Sequence, residues 1–252
     1  MIIEFMGLPG SGKTRLHEVA RKIIEERGFA VWDPDQMWNS VRKYKEKSAA
    51  NGLTGSVKFV IRVVLNLFPQ LPQIFRFCRK HFSFVLGVLW MILSNPSAIR
   101  TRILLLKYLL IDICQYATIN GHDGKTKVVL VDEGFIQHIF TNLAQKLHNR
   151  DFQKGRWYIR NAPLPNLLIY VRTSPETCLQ RMQARGFPRR LQNEPIDVIK
   201  TMLSTGNELF EFVYGIVERI SHGMTKAYAL NSKPSLEMTG ILLAHLETLA
   251  HG

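Results

Sequence analysis

The residues best suited to do chemistry together are 7–14, with the sequence Gly-Leu-Pro-Gly-Ser-Gly-Lys-Thr. They fit the phosphate-binding pattern G-x-x-x-x-G-K-[ST] in full, between an apolar run at 2–6 and helical spacing at 13–27. Glycines let backbone N–H groups turn inward around a phosphate, and a helix N-terminus adds its positive dipole. We therefore expect a nucleotide site in which Lys13 reaches the β- and γ-phosphates and the Thr14 hydroxyl holds Mg²⁺.

Two carboxylates follow the apolar run at residues 128–131. Asp132 comes at the carboxyl end of this predicted strand, where ligands of open α/β sheets bind. We interpret Asp132 as the residue that fixes Mg²⁺ through water. Glu133 is a second carboxylate at the same strand end. The alternative for Asp132 is the N-cap of the next helix, which is compatible with metal binding.

A cluster of arginines lies in residues 181–190. Arg181 and Arg185 are four residues apart, on one face of a helix, and Arg189 follows a Gly-x-Pro break together with Arg190. On a mobile turn these side chains would close over a triphosphate and neutralise the charge that develops in transfer. A solvated basic turn is the alternative interpretation.

Two aspartates follow the short apolar run 29–32. A carboxylate at that position can accept the proton of an attacking hydroxyl. Asp33 is explained as a helix N-cap, because Pro34 suits the first helical position. Asp35 is therefore the first choice of general base and Glu133 the second. The alternative for Asp35 is a favourable interaction with the helix dipole.

A polar turn at 231–235 follows the last apolar run, 227–230. Such a turn can wrap the base of a bound nucleotide, although plain turn chemistry explains its composition equally well. The predicted nucleotide-binding residues are Gly7, Pro9, Gly10, Ser11, Gly12, Lys13, Thr14, Asn231 and Pro234.

Five short apolar runs alternate with helical segments along the 252 residues. The runs are 2–6, 29–32, 128–131, 166–171 and 227–230, and the predicted helices include 13–27 and 235–249. This alternation is typical of a parallel sheet covered on both faces. The hydrophobic fraction of 46% and the charged fraction of 21% exclude a disordered or fibrous chain. We expect one domain over 1–252.

An insertion, assigned to 47–120, breaks this alternation. Its part 47–111 holds nine Lys+Arg and no Asp or Glu, and three prolines divide it into about three helices (Pro69, Pro72 and Pro96). Its apolar runs are shorter than the roughly 20 residues of a membrane span. The first interpretation is a helical cover on the sheet domain, the second a surface lying on an anionic bilayer, and the least favoured one nucleic-acid docking.

Charge and cysteine usage add two expectations. The formal net charge of +13 suggests an anionic partner. The three cysteines lack paired spacing, so buried thiols in a reducing compartment are expected rather than zinc ligands or disulfides. With no targeting signal after Met1, these features predict a cytoplasmic protein, peripheral at the inner membrane face if the insertion binds a bilayer.

The chain resembles P-loop kinases of the nucleotide-kinase-like group, which includes thymidylate and adenylate kinases. The resemblance is carried by 7–14, 128–134, 181–190 and the turn 231–235. Residues 29–41, with Asp35 early in the helix, resemble the acceptor-side helix of polynucleotide kinase and zeta-toxin-like kinases.

The resemblance implies a three-layer P-loop NTPase fold, with a five-stranded parallel sheet in the order 2-3-1-4-5 and a large helical insertion between strands 2 and 3. It also implies a lid over ATP and phosphoryl transfer to a bound acceptor. Thymidylate kinase has Asp-Arg-Tyr where this chain has Asp132-Glu133-Gly134, and its acceptor region is replaced by 47–111. We therefore expect an acceptor other than an ordinary nucleoside monophosphate.

The sequence thus predicts an ATP- and Mg²⁺-dependent kinase. Its acceptor is an anionic or membrane-proximal small molecule, with a sugar or glycolipid as candidates. Two alternatives stay open, a nucleic-acid end kinase and a nucleotide-binding adaptor that hydrolyses ATP slowly. The chain has no guanine-reading Asn-Lys-x-Asp, which disfavours a GTPase switch. The oligomeric state is not predicted.

Overall fold

The computed structural model describes residues 1–32, 71–94, 99–119, 127–143, 152–188, 191–220, 225–231 and 236–250. Among the predicted site residues, Asp35, Arg189 and Pro234 lie outside these ranges, as do Asp33 and Arg190. The described strands are β1 (Ile2–Met6), β2 (Ala30–Trp32), β3 (Lys127–Val131), β4 (Leu167–Arg172) and β5 (Lys226–Asn231). The described helices are α1 (Lys13–Glu26), α2 (Leu71–Lys80), α3 (Phe82–Leu93), α4 (Ile99–Ile119), α5 (Phe135–Leu143), α6 (Phe152–Asn161), α7 (Pro175–Arg185), α8 (Ile196–Ile220) and α9 (Leu236–Ala250).

The five strands form one sheet in the order β2-β3-β1-β4-β5, which confirms the predicted P-loop NTPase fold. β1 lies at the centre and pairs in parallel with β3 and β4. β4 in turn pairs in parallel with β5, up to Arg172 opposite Asn231. In such a sheet the carboxyl ends of neighbouring strands meet at one edge, so the residues that follow β1, β3 and β4 lie close together.

Helices α1 and α9 cover one face of the sheet. Ile3 and Phe5 of β1 are buried against this layer, because alternate residues of a strand point to the same face. The rest of this core consists of apolar side chains from both helices and the other strands: Leu16, Ala20, Ile24, Val128, Leu130, Leu167, Ile169, Val171, Leu230, Met238, Leu242 and Leu246.

Helices α5, α6 and α8 form the layer on the opposite face of the sheet. No bounds are predicted for these three helices from the sequence. Phe140 of α5 stacks on Phe210 of α8 with ring centroids 5.5 Å apart, and Tyr170 of β4 contacts Phe210 at 6.2 Å. Gly206 of α8 leaves room for the Phe140 ring, since a Cβ there would overlap it. The 25-residue α8 is the longest described helix, and its buried side chains recur at helical spacing.

The chain separates into two compact units, 1–31 with 126–252 and 32–125. The second unit contains α2, α3 and α4, which pack on one another and lie between β2 and β3 in the chain, as predicted for the insertion. Pro72 is the second residue of α2, a position that tolerates proline. No described helix has the length and the apolar character needed to cross a membrane. The assignment of 1–252 to one domain stays a prediction.

Candidate functional site

The glycine-rich loop between β1 and α1 is held close to its neighbours. Gly10 has a φ of 86° and Gly12 a φ of 101°, in the left-handed region that favours glycine. A Cβ on Gly10 would lie 2.7 Å from the carbonyl oxygen of Cys178, and one on Gly7 would lie 2.8 Å from that of Val171. The loop therefore packs against α7 and the end of β4 at a distance that only glycine allows.

Lys13 is the first residue of α1 and its side chain is folded back onto the loop. Its Nζ donates to the carbonyl oxygens of Gly7 at 2.8 Å and Leu8 at 3.3 Å. The residue is buried despite its charge. The structure thus places a cation inside the loop, next to the backbone that the motif assigns to phosphates.

Thr14 and Asp132 are brought together as the sequence predicts. The Thr14 hydroxyl donates to Asp132 Oδ2 at 3.4 Å, across the ends of α1 and β3. The other carboxylate oxygen, Oδ1, is buried and has no hydrogen-bond partner among the described residues. Burial raises the pKa of Asp132 above its ordinary value, an effect that the nearby charge of Lys13 opposes.

These oxygen ligands fit a magnesium ion. Mg²⁺ prefers hard oxygen ligands and uses one or two protein groups, completing its shell with water and substrate phosphates. A hydroxyl and a carboxylate with one unpartnered oxygen match that requirement. Within the part of the chain that the structure describes, no group of three His, Cys, Asp or Glu side chains is placed to hold a metal ion, so a closed protein cage is not formed there.

Arg181 on α7 lies on the glycine-rich loop. Its Nη1 donates to the carbonyl oxygens of Ser11 at 3.1 Å and Gly10 at 3.3 Å. The predicted helix is present, and its N-cap Ser174 accepts a hydrogen bond from the backbone N–H of Thr177 at 3.2 Å. Arg185 is the exposed last residue of this helix. Arg181 is therefore the arginine of the predicted lid that the structure brings into contact with the loop.

Glu133 is exposed and lies beside a histidine that the sequence analysis missed. Glu133 Oε2 is 4.0 Å from Nε2 of His138, whose side chain is only 5% exposed. The two residues are five apart, across the start of α5, so no regular helix spacing marks the pair. Asp35, the first choice of general base, lies outside the described residues.

Glu4 and Gln137 form a second feature that was missed. Glu4 lies in the middle of β1 and is fully buried, with Oε1 accepting the backbone N–H of Gln137 at 2.9 Å. The Gln137 side-chain oxygen accepts the backbone N–H of Gly7 at 2.9 Å. Gly134 leaves space for this carboxylate, because a Cβ there would lie 2.8 Å from the Glu4 carboxyl carbon. The available signal was a carboxylate in an otherwise apolar strand.

Asn231 ends β5 at the same edge of the sheet. It is exposed and pairs with Arg172 of β4. The Arg172 guanidinium binds Glu211 of α8 through two hydrogen bonds, at 2.6 and 2.8 Å, and lies 5.6 Å from the centroid of the Tyr170 ring. This ion pair fixes the end of β4. Pro234, the other residue predicted to lie near the base, is outside the described ranges.

Comparison with known proteins adds little to this geometry. No family model matches the chain, and no curated protein is similar to it. Among solved structures, three of deoxyadenosine kinase from M. mycoides are similar: one with the products dCMP and a flexible dCDP, one with dCTP and one with dATP. Their identities are 13%, 14% and 12%, and their TM-scores 0.45, 0.44 and 0.42. Each match covers 98% of this chain and 100% of the other. Similarity at this level says nothing of the substrate of this chain.

Proposed function

We propose that the chain is an ATP- and Mg²⁺-dependent kinase that transfers the γ-phosphate of ATP to an anionic or membrane-proximal small-molecule acceptor. The observation that supports this most is the contact between Thr14 Oγ1 and Asp132 Oδ2 at 3.4 Å, with Asp132 Oδ1 buried and unpartnered. A hydroxyl that follows the loop lysine and an acid at the end of the neighbouring strand are the groups that hold Mg²⁺ against nucleotide phosphates.

The donor side of the reaction follows from the loop. Its backbone and Lys13 bind the phosphates, and Lys13 exchanges its bonds to Gly7 and Leu8 for phosphate oxygens. Thr14 and Asp132 would hold Mg²⁺, which would supply positive charge to offset that of the nucleotide phosphates. Asn231 and Pro234 lie on the base side in this proposal.

The transferred group is stabilised from α7. Arg181 has its guanidinium beside the carbonyl oxygens of Gly10 and Ser11, in the loop to which this proposal assigns the phosphates. Arg185 and Arg189 complete a cationic lid in the same proposal. Charge that develops on the γ-phosphoryl oxygens is neutralised most strongly where donors are held in place before the reaction.

On the acceptor side, Asp35 is the first choice of general base and Glu133 the second. The net charge of +13 favours an acceptor that carries negative charge, and sugars and glycolipids are the first compounds to test. A cytoplasmic location, where ATP and Mg²⁺ are available, suits this activity.

The test is a screen of radiolabelled γ-phosphate transfer over sugars, glycolipids, nucleosides and oligonucleotides. We expect a labelled product that requires Mg²⁺ and is lost in Lys13→Ala. The matched control is Lys22→Ala, which removes a lysine from the same helix, nine residues away from Lys13, and should keep the activity.

Three results would count against the proposal. Labelling confined to oligonucleotide ends would favour the nucleic-acid end kinase. Intact ATP binding by calorimetry with slow phosphate release and no labelled acceptor would favour the adaptor. Unchanged ATP affinity and turnover in Lys13→Ala would overturn the nucleotide site itself.

A further inference from the structure

Helix α3 presents a row of large apolar side chains to solvent. These side chains are Phe82 (61% exposed), Leu86 (48%), Trp90 (73%) and Leu93 (55%). At about 100° per residue, their spacing places all four within an arc of roughly 80°. We call this row the α3 stripe. The opposite face of the helix is also apolar, and Phe84, Val88 and Ile92 on it are buried.

A solvent-facing side of a helix is ordinarily polar, which makes the α3 stripe unusual. The helix has no charged residue at all. Large contiguous apolar patches on a protein surface mark sites that bind another surface. The stripe is therefore a candidate docking surface, and its surroundings indicate what it docks to.

The neighbouring helices combine exposed apolar and basic side chains. On α2, exposed Phe75 accompanies exposed Arg76, Arg79 and Lys80. On α4, Ile99, Ile103 and Leu110 are exposed together with Lys107. Arg79 and Lys80 are the last two residues of α2, and His81 alone separates them from α3 in the chain.

The charge of this region selects the occupant. Residues 71–111 contain six Lys+Arg and no Asp or Glu. A second copy of the same surface would bring like charges together, which disfavours a symmetric contact between two chains. An anionic bilayer offers negative headgroups to the basic side chains and an apolar layer to Trp90 and Phe82, and aromatic side chains favour that boundary.

We propose that the α3 stripe, together with Arg79 and Lys80 at the end of α2, binds the surface of an anionic lipid bilayer. With 12 residues, α3 is shorter than the roughly 20 residues of a membrane span, and in this proposal it lies in the plane of the interface with its apolar side chains among the lipids. The basic side chains contact headgroups. This inference goes beyond the proposed kinase function and does not depend on it.

Two components of binding follow from this arrangement. Headgroup contacts weaken as salt is raised, since charges in water are screened within roughly 8 Å at physiological ionic strength. Burial of the stripe is insensitive to screening and leaves a salt-resistant remainder. Co-sedimentation with phosphatidylcholine vesicles, and with vesicles that also contain phosphatidylglycerol, separates the two components across a salt series.

The first variant removes the apolar component. Leu86→Ser with Trp90→Ser changes only exposed side chains, and we expect it to lower the affinity for anionic vesicles by more than about tenfold and to abolish the salt-resistant remainder. The matched control is Leu236→Ser on α9. Leu236 is 93% exposed and outside the second compact unit, so this variant should bind as the wild type does.

The second variant removes the charges. Arg79→Ala with Lys80→Ala should lower the affinity at low salt by roughly 30-fold, because each basic side chain near an anionic surface contributes about fivefold. Its matched control, Lys200→Ala with Lys226→Ala, removes two lysines from α8 and β5 and should leave binding unchanged.

A third experiment measures tryptophan fluorescence and uses a conservative substitution, Trp90→Phe. Brominated anionic lipids should quench tryptophan fluorescence in the wild type, and Trp90→Phe should lose much of that quenching while still pelleting with the vesicles. Phenylalanine keeps an aromatic side chain at the interface. This experiment keeps the proposal testable even if the serine variant fails to fold, which circular dichroism would reveal.

Several outcomes would overturn the proposal. They are an absence of binding to anionic vesicles at low salt, equal binding of the serine variant and the wild type, and quenching that Trp90→Phe does not change. A dimer seen by light scattering that the serine variant loses, without vesicle binding, would instead assign the stripe to a second copy of the chain. Kinase activity is measured separately, so its absence would bear on the proposed function alone.

Discussion

The backbone N–H of Gly7 donates a hydrogen bond to the side-chain oxygen of Gln137 at 2.9 Å. This bond joins the first residue of the glycine-rich loop to α5, the helix that follows Asp132 in the chain. Gln137 is itself held by Glu4, which accepts its backbone N–H at 2.9 Å. The position of the loop relative to Asp132 is therefore fixed by two residues that contact neither phosphate nor metal in the proposed reaction.

Replacing Gln137 should loosen the phosphate loop. Gln137→Met keeps the side-chain length but leaves the N–H of Gly7 buried without its acceptor, so we expect the free energy of unfolding to fall by about 1–3 kcal/mol. The KM for ATP should rise several-fold, because a displaced loop binds phosphate less well. Urea unfolding and ATP titration measure the two effects. Wild-type stability together with a wild-type KM for ATP in Gln137→Met would contradict this role.

The sheet could be predicted because its strands are short, apolar and separated by helices. Strands such as β1 are buried on both faces, and this is what makes them continuous apolar runs in the sequence. The phosphate-binding pattern at 7–14 then placed the carboxyl end of β1 at the ligand site, and the resemblance to nucleotide-kinase-like proteins supplied the strand order. The ends of β1 are as predicted, and the predicted ends of the other strands differ from the observed ones by at most one residue.

The network around the site could not be predicted, because it depends on pairs that are distant in the chain. Gly7 and Gln137 are 130 residues apart, and Arg181 meets Ser11 across 170 residues. Glu4 was visible as a carboxylate in an apolar strand, but its partner follows only from the packing of α5 on β1. Sequence spacing reveals neighbours within one helix or strand, and these contacts join different elements.

Asp132→Asn should separate stability from activity. The pKa of Asp132 is raised by burial, so the folded protein without metal is most stable when this carboxyl is protonated and loses that stability as pH rises through its folded pKa. An asparagine has no charge to bury, so in metal-free buffer at neutral pH the variant should unfold at a higher temperature than the wild type. The gain should vanish in acid.

The same variant should lose Mg²⁺-dependent turnover, since an amide is a weaker magnesium ligand than a carboxylate. Thermal melts across a pH series with a chelator, and phosphate transfer across a Mg²⁺ series, measure the two effects. Full turnover at ordinary Mg²⁺ would remove Asp132 from the metal site.

Arg181→Ala should slow transfer more than it weakens ATP binding. Its guanidinium is already next to the carbonyl oxygens of Gly10 and Ser11, so we expect kcat to fall by about 10²–10³-fold, the range for loss of a donor that stabilises developing charge. Arg181→Lys should recover part of the rate, because it keeps the charge without the planar fork. The control Arg21→Ala removes an arginine that pairs with Glu25 on α1 and should have little effect. An effect on KM alone would assign Arg181 to ground-state binding.

The three cysteines should differ sharply in reactivity. Burial raises the pKa of Cys114 to about 12 and that of Cys178 to about 11, and both thiols are buried, whereas Cys78 is partly exposed. At pH 8 only about one in 10³ or fewer of the two buried thiols is ionised, and the thiolate is the reactive form. We expect a thiol reagent to modify one cysteine in the folded protein and three in urea.

Substitution identifies which thiol reacts. Cys78→Ser should abolish modification of the folded protein, and Cys178→Ser should leave one reactive thiol. Because burial also raises the pKa of Cys78, its modification should accelerate as pH rises from 7 to 9. Rapid labelling of Cys178 near pH 7 would indicate that the contact between α7 and the loop opens in solution.

The choice of general base is open to a direct comparison of two isosteric variants. We expect Asp35→Asn to lower kcat by roughly 10²–10⁴-fold with ATP affinity nearly intact, as for loss of a general base. Glu133→Gln should cost less than about tenfold, because Glu133 is exposed and its contact with His138 is as long as 4.0 Å. Single-turnover transfer to the acceptor found in the screen measures both. A large loss in Glu133→Gln, reproduced by His138→Asn, would move the role to Glu133. Small losses in both variants would identify an acceptor that is itself a phosphate, since its oxygen is already ionised and needs no base.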